Sequence, residues 1–361
     1  RMMMQVTPQS NLVYNYFPKY TMLENMTMAA FSGSNADTVN VYLDINKMVN
    51  SLYAPNVKIL YPLEIAAVLI NLCAHYRTFY RVYHKVETNF FLVYSDLMNE
   101  YGNSLVPGYN SSNIRRVVNK VTTDAIEISM AALAELCPYL PNIYFKRDIY
   151  EPMVVIYKII EDEKKAGNTN PNIIITKEPL CYQVLGFEDD TAIFIDDKKA
   201  ETCYAITRPN VNVSYFTMAT NRDKIKGDSK LVYKLDFISP ELLGLLISIT
   251  NLPSRDLKSI MSANKAINTI YGLIEREELA NQYSGIITYL YNKIFNGLNS
   301  TSLETFKLRF KAVDLNQNYL YYSNTPYGSD LSYKSDLQDP ETVQAINNQY
   351  FKDTPIDLNR L

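Results

Sequence analysis

The sequence predicts an α/β protein: a mostly parallel sheet flanked by helices, followed by a helical region and a polar tail. Three observations carry that expectation. Short strand-like runs alternate with long helical patterns in the first two hundred residues, as in a chain of βαβ units. The run Asn172-Ile173-Ile174-Ile175-Thr176 is β-branched almost throughout, as a central parallel strand buried on both faces would be. Two other strand-like runs, Val39–Asp44 and Asn89–Asp96, each end on an aspartate. A buried strand that stops on a carboxylate delivers it to the carboxyl edge of a sheet, where open α/β sheets bind their ligands.

The elements follow in order. After the Asp44 strand, an apolar pattern from about Pro62 to Lys85 opens with Pro-Leu-Glu, a favourable first helical turn. The Asp96 strand comes next, then a turn-rich stretch over 99–113 and a helix to about Leu136. Asn142 to Lys146 reads as extended, and Glu151 to Lys165 as a helix. Ala192–Asp196 and Cys203–Thr207 form a hairpin or edge pair. The charged stretch 221–230 reads as a linker, with helices beyond it at 239–250, 255–277 and 281–298. From about 315 the chain is rich in Tyr, Asn, Ser and Asp with little periodicity, which reads as a tail lying along another surface or partly flexible. The expected divisions are an N-terminal extension (1–37), an α/β domain (38–220), a helical region (221–300) and a Tyr/Asn-rich C-terminal tail (301–361).

With 361 residues, 47% of them hydrophobic and 20% charged, the chain has enough apolar material for a real core. A net charge of −3 excludes nucleic-acid binding by bulk charge, so such a role needs a local basic patch. The four cysteines are widely spaced and lack any CxxC or Cys/His cluster, which speaks against structural zinc. They read as small buried thiols in a reducing compartment. The first residues lack the pattern of a secretion signal, and no run reaches the ~20 apolar residues of a membrane span. A cytoplasmic location without membrane contact is the expectation. Glycine-rich phosphate loops, nucleophile elbows and Cys/His catalytic pairs are absent from the sequence, against dinucleotide enzymes, nucleotide-driven motors and serine hydrolases. The 30 Tyr, the many Asn, Ile and Lys, and the lack of Trp resemble the product of an AT-rich coding sequence, as in some phages and other viruses.

Three further acids join Asp44 and Asp96. Asp148 and Glu151, three residues apart at a helix start, share one face. Glu178 lies just past the isoleucine strand. In a parallel sheet these five would converge on one edge, and oxygen ligands with excess negative charge suit Mg²⁺ or Mn²⁺. Each also has a plainer reading: strand-end aspartates cap turns and helices, and acids favour helix N-termini.

The order of these residues resembles the flap-endonuclease group of 5′ nucleases within the PIN-like fold. Leu43-Asp44 and Tyr94-Ser95-Asp96 are similar to its first two strand ends. Asp148-Ile149-Tyr150-Glu151 resembles its Glu-x-Asp-Asp helix start, and Thr176-Lys177-Glu178-Pro179-Leu180-Cys181-Tyr182-Gln183 its Thr-Gly-Asp-x-Asp-x-x-Gln segment. Leu242–Ile270 stands where the family has a DNA-gripping helix-loop-helix, with Asn264-Lys265-Ala266 similar to its Pro-Lys-Thr/Ala piece. The resemblance spans roughly residues 38–280 and implies metal-dependent cleavage of flap, nicked or single-stranded DNA. Asp44, Asp96 and Glu178 would be catalytic, and these with Asp148 and Glu151 would hold Mg²⁺ or Mn²⁺.

Departures are visible as well. Tyr150 and Leu180 replace family carboxylates, and the glycines of the DNA-gripping hairpin are missing. A catalytically inactive nuclease-fold protein, serving as a viral structural, assembly or DNA-binding subunit through its tail, is the alternative. Two basic clusters would hold phosphates: Arg77, Arg81 and Lys85 on one helical stripe, and Arg115, Arg116 and Lys120, joined by Lys265. Solvated helix faces explain the same spacing. Tyr76, Phe79, Tyr80 and Tyr83 beside the first stripe read as core packing before base stacking, and His75 and His84 as structural.

Overall fold

The computed structural model describes residues 36–46, 63–96, 100–106, 120–176, 178–186, 190–195, 203–207, 285, 287–289, 291–292, 303–325, 340–351 and 361. A six-stranded sheet runs through them in the order β3-β2-β1-β4-β5-β6. The strands are β1 (Thr38–Asp44), β2 (Glu87–Ser95), β3 (Ile143–Asp148), β4 (Asn172–Thr176), β5 (Asp190–Ile195) and β6 (Cys203–Thr207). The first five pair in parallel, and β6 returns antiparallel along β5. The expected mostly parallel α/β sheet is therefore present, with its hairpin at one edge.

Position in the sheet explains the composition of the strands. β1 and β4 lie in the middle, and all five residues of β4 are buried. The β-branched isoleucines suit a pleat covered on both faces. β3 forms an edge, and only its two terminal residues are buried.

Helices flank the sheet: α1 (Glu64–Phe79), α2 (Glu100–Leu105), α3 (Lys120–Leu136) and α4 (Pro152–Lys165). α1 is apolar nearly all round and belongs to the main core with α3 and alternate residues of β1, β2 and β4. It ends in a widened turn, Tyr80–His84, closed by Lys85 at φ 53°. α4 starts with proline at its first turn, preceded by Glu151, and carries Lys164 and Lys165 in its last turn, where cations meet the helix dipole favourably.

The C-terminal stretch differs from the aperiodic tail its composition predicts. Its described residues form α5 (Leu303–Val313), α6 (Leu315–Ser323) and α7 (Pro340–Tyr350). Phe306, Phe310 and Val313 recur at helical spacing and are buried, as are Asn318, Tyr319 and Tyr322 of α6. Tyrosine and asparagine hide the periodicity because they serve as core residues here, each with a polar end that finds a partner. Asp314 caps α6, accepting from the amides of Asn316 (2.9 Å) and Gln317 (3.4 Å). Val343, Ile346 and Phe351 join the main core.

The expected helices at 239–250 and 255–277 lie outside the described residues; of the third, 281–298, residues 285, 287–289 and 291–292 are described and are helical. No helix among the described residues is long and apolar enough to cross a membrane.

Candidate functional site

The strand order reverses at the middle of the sheet: β2 and β3 lie on one side of β1, β4 and β5 on the other. In open α/β sheets ligands bind at such a reversal, at the carboxyl ends of the strands on either side, here β1 and β4. Asp44 ends β1 and Thr176 ends β4. The pairing sets Leu43 opposite Ile175, so the next residues, Asp44 and Thr176, stand side by side at these ends.

Thr176 joins the two acids there. Its hydroxyl donates to Asp44 Oδ2 at 2.8 Å and accepts from the Glu178 amide at 2.9 Å. Asp44 Oδ1 accepts from the Asn46 amide at 3.3 Å. Asp44 and Glu178 are both half-buried. Cys181, buried in the turn Pro179–Gly186, reports on both. Burial, then the charge of Glu178 and of Asp44, pushes its thiol well above the ordinary range. This Asp44–Thr176–Glu178 edge is the candidate site. In the sequence Thr176 stood as a strand end and as the first residue of the Thr176–Gln183 motif, not as a site residue. Its signal was a hydroxyl closing an all-isoleucine run at a place where a buried strand needs none.

The other acids are placed differently, and register is the reason. Asp44 is level with Val93 on β2, so Asp96 lies three residues, roughly 10 Å, further along. An aspartate at the end of each strand-like run did not make the carboxylates adjacent. The side chain of buried Asn46 fills the step. Its Nδ2 donates to the Ser95 carbonyl and its Oδ1 accepts from the Ser95 amide, both at 2.6 Å, like one more rung of the β1–β2 ladder. Asp96 is exposed and pairs with Arg147, whose Nη2 donates to it at 2.9 Å. Arg147 also binds Glu127. Hydrogen bonds to Glu127, ahead of those to Asp96, raise the Arg147 pKa, and Arg147 holds Glu127 below the usual carboxylate range.

Asp148 is level with Ser95, one strand further out and buried. Its Oδ1 accepts from the amides of Ile149 (2.7 Å) and Tyr150 (3.2 Å). Its Oδ2 accepts from the Tyr322 hydroxyl and lies 3.7 Å from Lys146 Nζ. Burial, then this hydrogen bond, raises the Tyr322 pKa far above the phenol range. Glu151 precedes α4, and its side chain makes no capping bond.

Among the described residues, no group of three or more His, Cys, Asp or Glu is disposed to hold a metal ion. The donors at Asp44 and Glu178 have the right chemistry for Mg²⁺ or Mn²⁺, and Mg²⁺ is commonly held by one or two carboxylates with water and substrate phosphate. The larger set of five carboxylates is not assembled.

The first basic stripe needs correction. Arg77 is 1% exposed and cannot face a phosphate backbone. It lies four residues after Cys73 and three before Tyr80, on the apolar face of α1, where it packs its guanidinium over Phe90. It donates to the Leu361 carbonyl at 3.0 Å and to the Pro141 carbonyl. Arg81 forms a bidentate pair with Glu87, leaving Lys85 exposed at the end of the turn. Tyr76, Phe79 and Tyr80 are buried core residues, whereas Tyr83 is exposed. His84 packs against Phe79 and Tyr80. Lys120 opens α3. Arg115, Arg116 and Lys265 lie outside the described residues.

The segment after β1 has no glycine between Ile45 and Leu63, so its sequence lacks the glycine pattern of a dinucleotide-binding turn. A scan against protein-family models matches none of them, and a search of curated proteins finds no match.

Proposed function

We propose that the chain is a nucleic-acid-processing protein of the flap-endonuclease type, hydrolysing DNA phosphodiesters with one Mg²⁺ or Mn²⁺ held by Asp44 and Glu178. The observation that carries this reading is the Thr176 hydroxyl, which donates to the Asp44 carboxylate and accepts the Glu178 backbone amide at the carboxyl edge where the strand order reverses. The cation would supply charge stabilisation on a phosphate and an activated water. The chain's own part is to orient Asp44, to which Thr176 donates, and to anchor the backbone at Glu178, whose amide Thr176 accepts. The ordered resemblance of Asp44, Asp96, Asp148–Glu151 and Glu178 to the family's motifs supports the same reading. Flap, nicked and single-stranded DNA are the substrates to test. Nucleotide release with Mg²⁺ or Mn²⁺, lost in Asp44→Asn and in Glu178→Gln, is the expected result. Wild-type protein that releases nothing from any of the three would refute it.

A second reading has its own observation. Arg147 neutralises Asp96, and Tyr322 with Lys146 occupies Asp148, so the chain itself supplies partners that a cation would otherwise provide. On that reading the nuclease-like fold persists as a DNA-binding or assembly subunit, in a phage or other virus, without hydrolysis. DNA binding without cleavage, unchanged in Asp44→Asn, is its signature.

A further inference from the structure

The helical elbow α5–α6 is tied to the carboxyl edge from two sides. Gln183 sits in the Pro179–Gly186 turn that follows Glu178. Its Nε2 donates to the Val313 carbonyl and its Oε1 accepts from the Leu315 amide, both at 2.9 Å. One buried side chain thus satisfies the last carbonyl of α5 and the first amide of α6, positions where helices leave backbone groups unpaired. At the far end of α6, Tyr322 donates to Asp148 and packs its ring 4.5 Å from that of Tyr150. Between these points, Tyr319 donates to Asp162 at 3.0 Å and accepts from Lys165 at 2.8 Å. Lys158 lies about 6 Å from the rings of both Tyr319 and Tyr322.

These contacts are mostly polar and each is directional. An interface of that kind is lost as a unit when one anchor fails, because the remaining groups lose their alignment. Docking also fixes two acids of the edge. Gln183 holds the turn next to Glu178, and Tyr322 takes the Asp148 oxygen that the backbone amides leave open.

We propose that the α5–α6 elbow is a strap: docked, it holds the Glu178 turn in place and keeps Asp148 engaged; released, it loosens both. The importance of the device rests on the reading of this edge as the functional one, but the coupling itself does not require a cation. By linkage, whatever binds the edge and favours one arrangement of the turn must shift the strap by the same free energy.

The test is hydrogen exchange of the full chain, without added metal, in wild type, Gln183→Ala and Tyr322→Phe. Tyr322→Phe keeps the ring and removes only the hydroxyl, so it reads the Asp148 contact without emptying the pocket. Both variants should exchange at least about tenfold faster over 315–323, and that acceleration should extend to 172–186. Amides of α1 (64–79) should stay at wild-type rates. Faster exchange over 315–323 with 172–186 unchanged would overturn the coupling, and so would acceleration spread uniformly over the chain. A Mn²⁺ titration followed by electron spin resonance tests the separate reading. Failure of the wild type to bind Mn²⁺ would remove the cation proposal, and the exchange result would still decide the strap.

Discussion

Replacing Thr176 by valine removes one hydroxyl and almost nothing else, which makes it the sharpest probe of the candidate site. Two hydrogen bonds go with it: the bond donated to the Asp44 carboxylate at 2.8 Å and the bond accepted from the Glu178 amide at 2.9 Å. A bond to a charged group contributes about 1.5–3 kcal/mol, and a neutral one about 1 kcal/mol. The valine methyl preserves volume, but the swap is not isosteric in the energetic sense because the polar partners stay behind. Both partners are near solvent and recover part of the loss, so a destabilisation of about 2–3 kcal/mol is expected. Urea unfolding followed by far-UV circular dichroism measures it. The decisive quantity is the coupling in a double-mutant cycle with Asp44→Ala. Direct contact predicts an interaction energy of about 1–2 kcal/mol, whereas independent sites add to within about 0.3–0.5 kcal/mol. Additive effects would show that Thr176 does not hold Asp44, and the site as described would fall with that contact.

Arg77→Ala should destabilise the chain by about 3–5 kcal/mol, since it empties a buried volume and strips the donor from two carbonyls. Arg77→Met should lose less, because an apolar side chain of similar volume avoids burying a charge. Equal, small losses in both variants by urea unfolding would contradict the buried placement. Arg147→Gln should change stability by less than about 1 kcal/mol, with the difference largely gone at about 1 M salt, since Asp96 and Glu127 are substantially exposed. Burial pushes the Cys73 thiol from an ordinary value of 9.0 up to about 12. The folded state therefore keeps a proton that the unfolded chain releases, and this contribution to stability is whole below pH 9 and lost as pH rises from 9 to about 12. The stability gap between wild type and Cys73→Ala should shrink over that window, and a constant gap would contradict the shift.

What the sequence made legible was local. The isoleucine run of β4, the strand ending at Asp44, the amphipathic α4 and the β5–β6 hairpin all carry their signals within a few residues. Arg77 shows how a local signal misleads: cations at every fourth position read as a solvated stripe, although Cys73 and Tyr80 place the same residue on the apolar face. The relation between Asp44 and Asp96 was illegible for another reason. Both runs end on aspartate in the sequence, yet the stagger between them depends on the β1–β2 register, in which Thr38 stands opposite Glu87. The contacts that decide the roles of the acids are more distant still. Arg147 reaches Asp96 across 51 residues, Gln183 reaches Leu315 across 132 and Tyr322 reaches Asp148 across 174. Patterning within a segment cannot specify such pairs.

Those long-range partners bear on how the edge manages its charge. Clustered carboxylates repel unless something compensates them. On the β2–β3 side the chain supplies the compensation itself, with an arginine for Asp96 and with amides, a phenol and a lysine for Asp148. At the switch point the Thr176 hydroxyl and the Asn46 amide bond Asp44, and Glu178 and Asp44 both push up the pKa of the same buried thiol. On the proposed reading, acids kept at this edge serve binding at some cost in stability. One substitution tests that reading: Glu178→Gln keeps the size of the side chain and removes its charge, so it should change stability by less than about 1 kcal/mol while abolishing Mn²⁺ binding. A loss of more than about 1 kcal/mol in urea would mean that the Glu178 charge is a structural element, and the argument for a binding edge would then rest on Asp44 alone.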